Sequence, residues 1–359
     1  MLFNRGVKSM RVLITSILVK SGVLTHTRDL AIYLSAAGVD VSLAFLTSQI
    51  VLHSMRTTNK DIQALTQPLN QLPVSYYQSY EDLRKIADRH NVQLVHAQSP
   101  LTFGDSARLA ESRSIPLVLT LHGVIDWKML HIRGMNIADS IIAVGPESAK
   151  SAGLHYSSKI RVIYNGVDTE KFRPKSITLR KGPLDVIWFG RTNGKAAQGV
   201  VALDKAVGLL RRQNKQINAR IIGYAAGTHI NHMKVCGWVG NPIPLLQQGA
   251  IVFGRGRALR EAMSCGNVGF LLAQGYGGLV RKEWFEKKPP ALLSANLNHG
   301  YFLADFRTIA HDLDRFYCRH SLLFTARSEA RRIALNYFDA RLMAQETLHV
   351  YSDALWKTR

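Results

Sequence analysis

Arg161-Val-Ile-Tyr-Asn-Gly-Val-Asp168, running on into Thr169-Glu-Lys-Phe172-Arg-Pro174, lies near the middle of a 359-residue chain and separates two stretches with the same internal rhythm. The apolar run Val162-Ile-Tyr164 predicts a short strand. Asn165-Gly166 predicts a tight turn in which glycine supplies a positive φ, and Pro174 blocks simple continuation. Alone, Asn-Gly marks no more than a loop. Its meaning comes from what flanks it.

Before it, Arg11–Thr15, Val39–Phe45, Val92–His96, Pro116–Leu121 and Asp139–Val144 read as strands. Helical patterns separate them: Ser21-Gly22 to Ala37, where Gly38 stops the helix, then Glu81 to His90 and Phe103 to Ser112. After it the pattern restarts. Leu184–Phe189 and Ala219–Ile222 are strands around a helix from Ala196 to Arg212. Strands near Met233–Cys236 and Ala250–Phe253, a helix over Arg257–Cys265 and the strand Val268–Leu272 follow. From Ala304 the chain reads as helix, broken near Asn336–Asp339. Strands alternating with helices predict parallel sheets covered on both faces, because parallel strands need crossover connections. The length suits two such domains.

The charge is uneven. Residues 1–170 hold 17 Lys/Arg against 13 Asp/Glu and residues 171–359 hold 29 against 12, out of a formal net charge of +21. A field of this kind attracts anionic lipid, phosphorylated substrates or nucleic acid. No nucleic-acid motif is present and the aromatics do not interleave with cations, so specific nucleic-acid binding is not expected. Cys236, Cys265 and Cys318 are odd in number and far apart, which predicts neither a disulfide framework nor a zinc site. Val12–Val19 is too short to span a bilayer, and Met1–Met10 lacks the apolar core of a secretory signal. A cytoplasmic protein is expected.

The run Asn165-Gly-Val-Asp168…Phe172-Arg-Pro174 resembles the interdomain signature of retaining glycosyltransferases of family 4. The resemblance implies a GT-B fold, α/β, in which two Rossmann-like, doubly wound parallel-sheet domains face a cleft. It implies boundaries of 1–170 for an acceptor-side domain, 171–340 for a nucleotide-sugar-binding domain, and 341–359 for a terminal helix returning to the first domain. It also implies transfer of a hexosyl or N-acetylhexosaminyl group from a nucleotide diphosphate sugar, taken as UDP-linked, to an acceptor hydroxyl with retention at the anomeric carbon.

Phe189-Gly190-Arg191-Thr-Asn-Gly194-Lys195 follows the first strand of the second half, a place where cations meet phosphate at a sheet edge and a helix start. It looks like the family's diphosphate site, with Arg191 and Lys195 as the matching cations, one residue closer together than usual. Glu261, in Arg257–Gly266, matches the family's glutamate that accepts from the ribose hydroxyls. The second carboxylate, expected eight residues earlier, is replaced by Phe253, followed by the expected Gly254. An aromatic cannot accept sugar hydroxyl protons, so the sugar is held differently or activity is lost. Arg255 and Arg257 add cations to the same loop.

In the first half, Leu121-His122-Gly123 follows a buried strand, and His122 matches the histidine near the donor sugar's reacting end. Val19-Lys-Ser21-Gly22 retains one glycine, Gly22, of the family's phosphate-approaching loop, and Ser21 is equally a helix N-cap. Gly223 after Ile222, and Val239 in Val235-Cys-Gly237-Trp238-Val239, resemble loops that enclose the nucleotide base. Gly277-Gly278 resembles a glycine pair beside the donor.

His122, Arg191 and Lys195 are thus the candidate catalytic residues. Gly22, Gly223, Val239, Glu261, Gly277 and Gly278, with the two cations, are the candidate donor-binding set. No metal is expected, since the cations do its work and no Asp-x-Asp occurs. Expected partners are a nucleotide-sugar donor, a carbohydrate or glycolipid acceptor and an anionic membrane surface, placing the protein on the inner face of the cell membrane in polysaccharide biosynthesis. A catalytically silent relative that binds nucleotide, membrane or a partner enzyme is one alternative, and a sugar-nucleotide epimerase is another.

Overall fold

The computed structural model describes residues 10–18, 22–54, 58–179, 182–225, 227–287 and 293–357. The chain forms two compact units. One comprises the residues up to Gly166 together with those from Ala340 onward, and the other is Val167–Asp339.

The first unit contains β1 (Arg11–Ile17), α1 (Gly22–Ala36), β2 (Asp40–Leu46), α2 (Gln49–Ser54), α3 (Asn59–Thr66), β3 (Val74–Tyr77) and α4 (Tyr80–Arg89). It continues through β4 (Leu94–Ala97), α5 (Pro100–Arg113), β5 (Leu117–Leu121), α6 (Trp127–Ile137), β6 (Ser140–Ala143), α7 (Pro146–Ala152) and β7 (Ile160–Val162). The seven strands pair in the order β3-β2-β1-β4-β5-β6-β7, and every pairing is parallel. Because alternate strand residues point to opposite faces, β1 feeds two cores. Val12 and Ile14 pack with Leu30 and Leu34 of α1, while Leu13 and Ile17 pack with Phe103 and Ala107 of α5. Helix starts follow local chemistry: Ser79 and Asp82 form a reciprocal capping box for α4.

The second unit contains β8 (Leu184–Phe189), α8 (Ala196–Arg212), β9 (Ile217–Ile222), β10 (Lys234–Val235), α9 (Ile243–Gln248), β11 (Ile251–Gly254) and α10 (Gly256–Ser264). Then come β12 (Val268–Leu272), β13 (Gly275–Leu279), α11 (Glu283–Glu286), β14 (Phe302–Leu303), α12 (Phe306–Cys318) and α13 (His320–Tyr337). The strand order is β10-β9-β8-β11-β12-β13-β14, with the last two strands antiparallel. Val186 and Trp188 enter the core under α8 and α12, and Ile187 enters the one under α10 and α13. The last helix, α14 (Ala340–Lys357), packs on α1 in the first unit.

The junction differs from its sequence reading. The strand there is Ile160–Val162, two residues earlier than expected. Gly166 is not among the residues with positive φ, so it serves no left-handed turn. Close approach explains it: a Cβ at this position would lie 2.5 Å from Ala340 Cα. The two segments linking the units are held side by side. Val167 N donates to Phe338 O (2.7 Å) and Thr169 Oγ1 to Asp339 Oδ2 (2.5 Å). Arg331 Nη1 donates to the carbonyls of Thr169, Phe172 and Ser264 at 3.0, 3.0 and 2.8 Å. These bonds, with Phe172 in the core, tie Val167–Phe172 into the second unit.

Each sheet reverses its strand order once, between β1 and β4 in the first unit and between β8 and β11 in the second. Open parallel sheets bind ligands beyond the carboxyl ends of their strands at such points, because the connections there splay to opposite faces and leave a crevice. Among the described residues no helix is long and apolar enough to cross a membrane.

Candidate active site

In the second unit the crevice is bounded by the loop after β8, which carries Arg191 and Lys195, and by the start of α10, which carries Arg255, Arg257 and Glu261. Gly190 has φ +142°, its N–H donates to Ile222 O (3.2 Å) and its carbonyl accepts from Trp188 Nε1 (3.3 Å). Thr192 is buried, and its carbonyl accepts from Thr228 Oγ1 (3.3 Å). Fixed at those points, the loop turns Arg191 and Lys195 outward, and both side chains are exposed. Neither is ion-paired with a described residue. Lys195 is also the N-cap of the 17-residue α8, so its backbone stands where the first free N–H groups of a long helix gather. Anions are favoured there for both reasons.

Glu261 is buried on α10, and its Oε1 accepts from Arg257 Nε one turn earlier at 2.7 Å. The pairing orients the carboxylate and means that a ribose reaching it would join a charge already partnered. Cys265, one turn further on, is pushed up to about 12 by burial and secondarily by Glu261, so it is a packed thiol and no nucleophile.

Gly223 has φ +148°, and a Cβ on it would sit 2.4 Å from Gly190 O. Only glycine lets the loops after β8 and β9 approach this closely. Gly223 N donates to Gly237 O (2.9 Å), which joins the β9 loop to the one after β10. Between them stand two largely exposed rings, Tyr224 at 66% and Trp238 at 67%, with half-buried Val239 beside them.

Phe253 is fully buried in β11, stacked on Phe270 with centroids 5.0 Å apart. It is a core residue under α8 and α12. Gly277 and Gly278 lie in β13, where a Cβ on Gly277 would meet Leu271 and Tyr301 at 2.9 and 3.0 Å. Gly278 has φ +74° and lies beside a register shift at Leu271/Leu272.

In the first unit Gly22 starts α1 and is exposed, with nothing within 4 Å of its missing Cβ. Ser21 and Lys20 lie outside the described residues. His122 stands half-buried just past β5, and the loop behind it is held by Ser148 Oγ, 2.8 Å from Leu121 O and 2.7 Å from Gly123 O. Its Nε2 is 2.9 Å from Oε1 of Gln98, which follows β4 at the order reversal. Gln98 Nε2 lies 3.0 Å from His96 Nε2, a nitrogen also 2.7 Å from Thr120 Oγ1. His96 Nδ1 lies 2.6 Å from the Tyr351 hydroxyl on α14. The His26 ring of α1 meets that of His122 edge-on, centroids 4.7 Å apart. Burial, and then His26, hold His122 well below its ordinary 6.5, and burial, then His122, pushes His96 down to about 3. Both rings are neutral. Sequence reading missed His26, His96 and Gln98. The one signal for Gln98 was its place at the end of a buried strand.

Residues 20–171 match the family described as Glycosyltransferase Family 4. The fold is similar to that of a glycosyltransferase from Rickettsia africae ESF-5, with a TM-score of 0.72 and 17% identity over 97% of this chain and 99% of that one. The chain has the GT-B fold. Anabaena HepE, solved with UDP and glucose, is also similar to this chain in fold, with a TM-score of 0.66 and 16% identity over 96% and 100% of the two chains. So is the lipopolysaccharide outer core galactosyltransferase WaaB, with a TM-score of 0.59 and 12% identity over 98% and 100%. No curated protein matches it in sequence.

Proposed function

We propose that this chain is a glycosyltransferase that moves a sugar from a UDP-sugar to a hydroxyl of a membrane-associated glycolipid or polysaccharide intermediate, with retention at the anomeric carbon and without a metal. The observation that carries the reading is the pair of exposed cations, Arg191 and Lys195, on one turn at the order reversal of the second sheet, beside the α10 carboxylate. As the bond from the anomeric carbon to the phosphate oxygen breaks, negative charge gathers on the leaving diphosphate. Cations held there beforehand stabilise it without reorganising. The acceptor oxygen bonds to the anomeric carbon on the face the diphosphate leaves, and the acceptor's proton ends on the released diphosphate. Glu261 takes the ribose hydroxyls, Tyr224 and Trp238 flank the base with Gly223 and Val239, and His122 meets the sugar. Phe253 leaves the donor sugar with no carboxylate from the end of β11, so other groups hold it.

An amphiphilic acceptor is supported by the carboxyl edge of the first sheet. Residues on the segments following β2, β4 and β5 leave apolar side chains in water: Ile50 is 82% exposed, Met129 81% and Leu130 62%, with Leu101 and Val124 beside them in the same segments. Such a concentration marks a surface that meets something apolar. The excess of cations in the second half of the sequence favours an anionic membrane as the place of encounter. Incubation with a panel of nucleotide sugars and lipid-linked acceptors tests the reading through release of nucleoside diphosphate. Release from UDP-sugars with a glycolipid acceptor is expected. Release only with a water-soluble acceptor, or from non-uridine donors, would overturn the corresponding part.

A further inference from the structure

The orientation of the Gln98 amide behind His122 decides which of its nitrogens carries the proton. A carboxamide oxygen can only accept, so with Gln98 Oε1 at 2.9 Å the His122 Nε2 is the protonated nitrogen and Nδ1 of the neutral ring is bare. Further in, the Gln98 amide nitrogen lies 3.0 Å from His96 Nε2 and 3.3 Å from His96 Nδ1, against both ring nitrogens, while the Thr120 hydroxyl meets Nε2 at 2.7 Å and the Tyr351 hydroxyl meets Nδ1 at 2.6 Å. Either hydroxyl can donate or accept, so the His96 ring adapts to whichever face of the amide it meets. Gln98 joins the two imidazoles, and a half-turn of its amide would reverse every donor and acceptor along the row. His96, Gln98, Thr120 and Tyr351 are all buried, so water does not substitute for a missing partner.

We infer that Gln98 is a positioning residue that holds His122 as the Nε2–H tautomer, so that the imidazole meets the donor sugar as a hydrogen-bond acceptor and selects a sugar with a hydroxyl at that place. This rests on His122 facing the sugar, as proposed above. The row ends at the buried Tyr351 hydroxyl on α14. His122 in this state is unsuited to donate a proton from Nδ1, and a donor that is deoxygenated or O-methylated at the matching position would lose the contact.

The test is 15N spectroscopy of protein labelled in its histidine rings, with His122→Ala identifying the signals. The wild type is expected to show the proton on Nε2 and a bare Nδ1. In Gln98→Leu the His122 ring should populate the other tautomer, and kcat/KM for the donor should fall roughly tenfold to a hundredfold, the usual scale for losing one buried hydrogen bond. Tyr351→Phe keeps the packed ring and removes only the far anchor. It should move the His122 ring signals in the same direction by less, and it decides the matter if Gln98→Leu does not fold. A wild-type proton on Nδ1, or His122 signals unmoved by both variants, would overturn the inference. Full turnover in His122→Ala would instead remove the assignment of His122 to the sugar, while the tautomer result stood.

Discussion

The carboxyl edges of the two sheets have the same strand plan and opposite chemistry. At the order reversal of the second unit the side chains are charged and solvent-facing, Arg191, Lys195 and Arg255, with one buried carboxylate behind them. At the corresponding edge of the first unit they are neutral and packed: two imidazoles kept uncharged by burial, a carboxamide between them, and exposed apolar residues on the neighbouring segments. Topology places a crevice at each edge, and the loop residues decide what each admits. In the function proposed above, one takes the diphosphate and the other the sugar and an apolar chain.

The largest effect is expected where that comparison depends on a residue being core. Phe253→Glu restores a carboxylate at the position where the family carries one, but the side chain would sit against Phe270 inside the second unit. A loss of more than about 4 kcal/mol of stability is expected, read as a collapse of the melting transition. A folded, faster enzyme would show that the end of β11 faces the ligand. Next comes pH. His96 titrates near 6.5 when unfolded and near 3 when folded, so below 6.5 the unfolded chain binds the extra proton. The stability linked to His96 should therefore be fully present above 6.5 and fall by about 1.4 kcal/mol per pH unit on the way down to 3, and His122, also held well below 6.5, adds a fall of the same sign. Melting curves between pH 7 and 5 check this, and His96→Gln should reduce the slope over that range while the share from His122 remains.

A smaller effect is expected for Glu261→Gln, which weakens the ribose contact and the hold on Arg257. Affinity for UDP should drop roughly tenfold, read by calorimetry, with little change in melting temperature. The smallest belongs to the apolar edge. Leu130→Ser should cost about 1 kcal/mol of binding to anionic liposomes and leave UDP affinity unchanged. Equal loss of both would mean that the two edges are not chemically separate.

Much of this plan was legible in the chain because buried parallel strands are written as apolar runs and their helices as periodic patterns. Leu184–Phe189, Ala196–Arg212 and Val268–Leu272 are cases in point, as is the helix break before Ala340. The antiparallel strand Gly275-Tyr-Gly-Gly-Leu279 was not, since three glycines carry no alternation and its pairing comes from Phe270–Leu272. Helix α6 escaped because it kinks at His131 (φ −141°) and exposes apolar residues, which erases an amphipathic period. Gly166 was read as a turn because a close approach to Ala340, far along the sequence, leaves no local trace. The row from His122 to Tyr351 was invisible for the same reason. His96 and Tyr351 are 255 residues apart, and a carboxamide next to a histidine is a fact of folding. The placement of Arg191 and Lys195 just past β8 and of Glu261 on α10 was legible because spacing from a strand end is itself local.

The most direct test compares wild type with Arg191→Ala and Lys195→Ala for release of UDP from a UDP-sugar, at donor concentrations above and below KM. Each variant should fold normally and lose about 100-fold to 1000-fold in kcat, the scale for removing one group that stabilises a leaving charge. Turnover within a factor of about three of wild type in both variants would show that the diphosphate leaves elsewhere and would contradict the account.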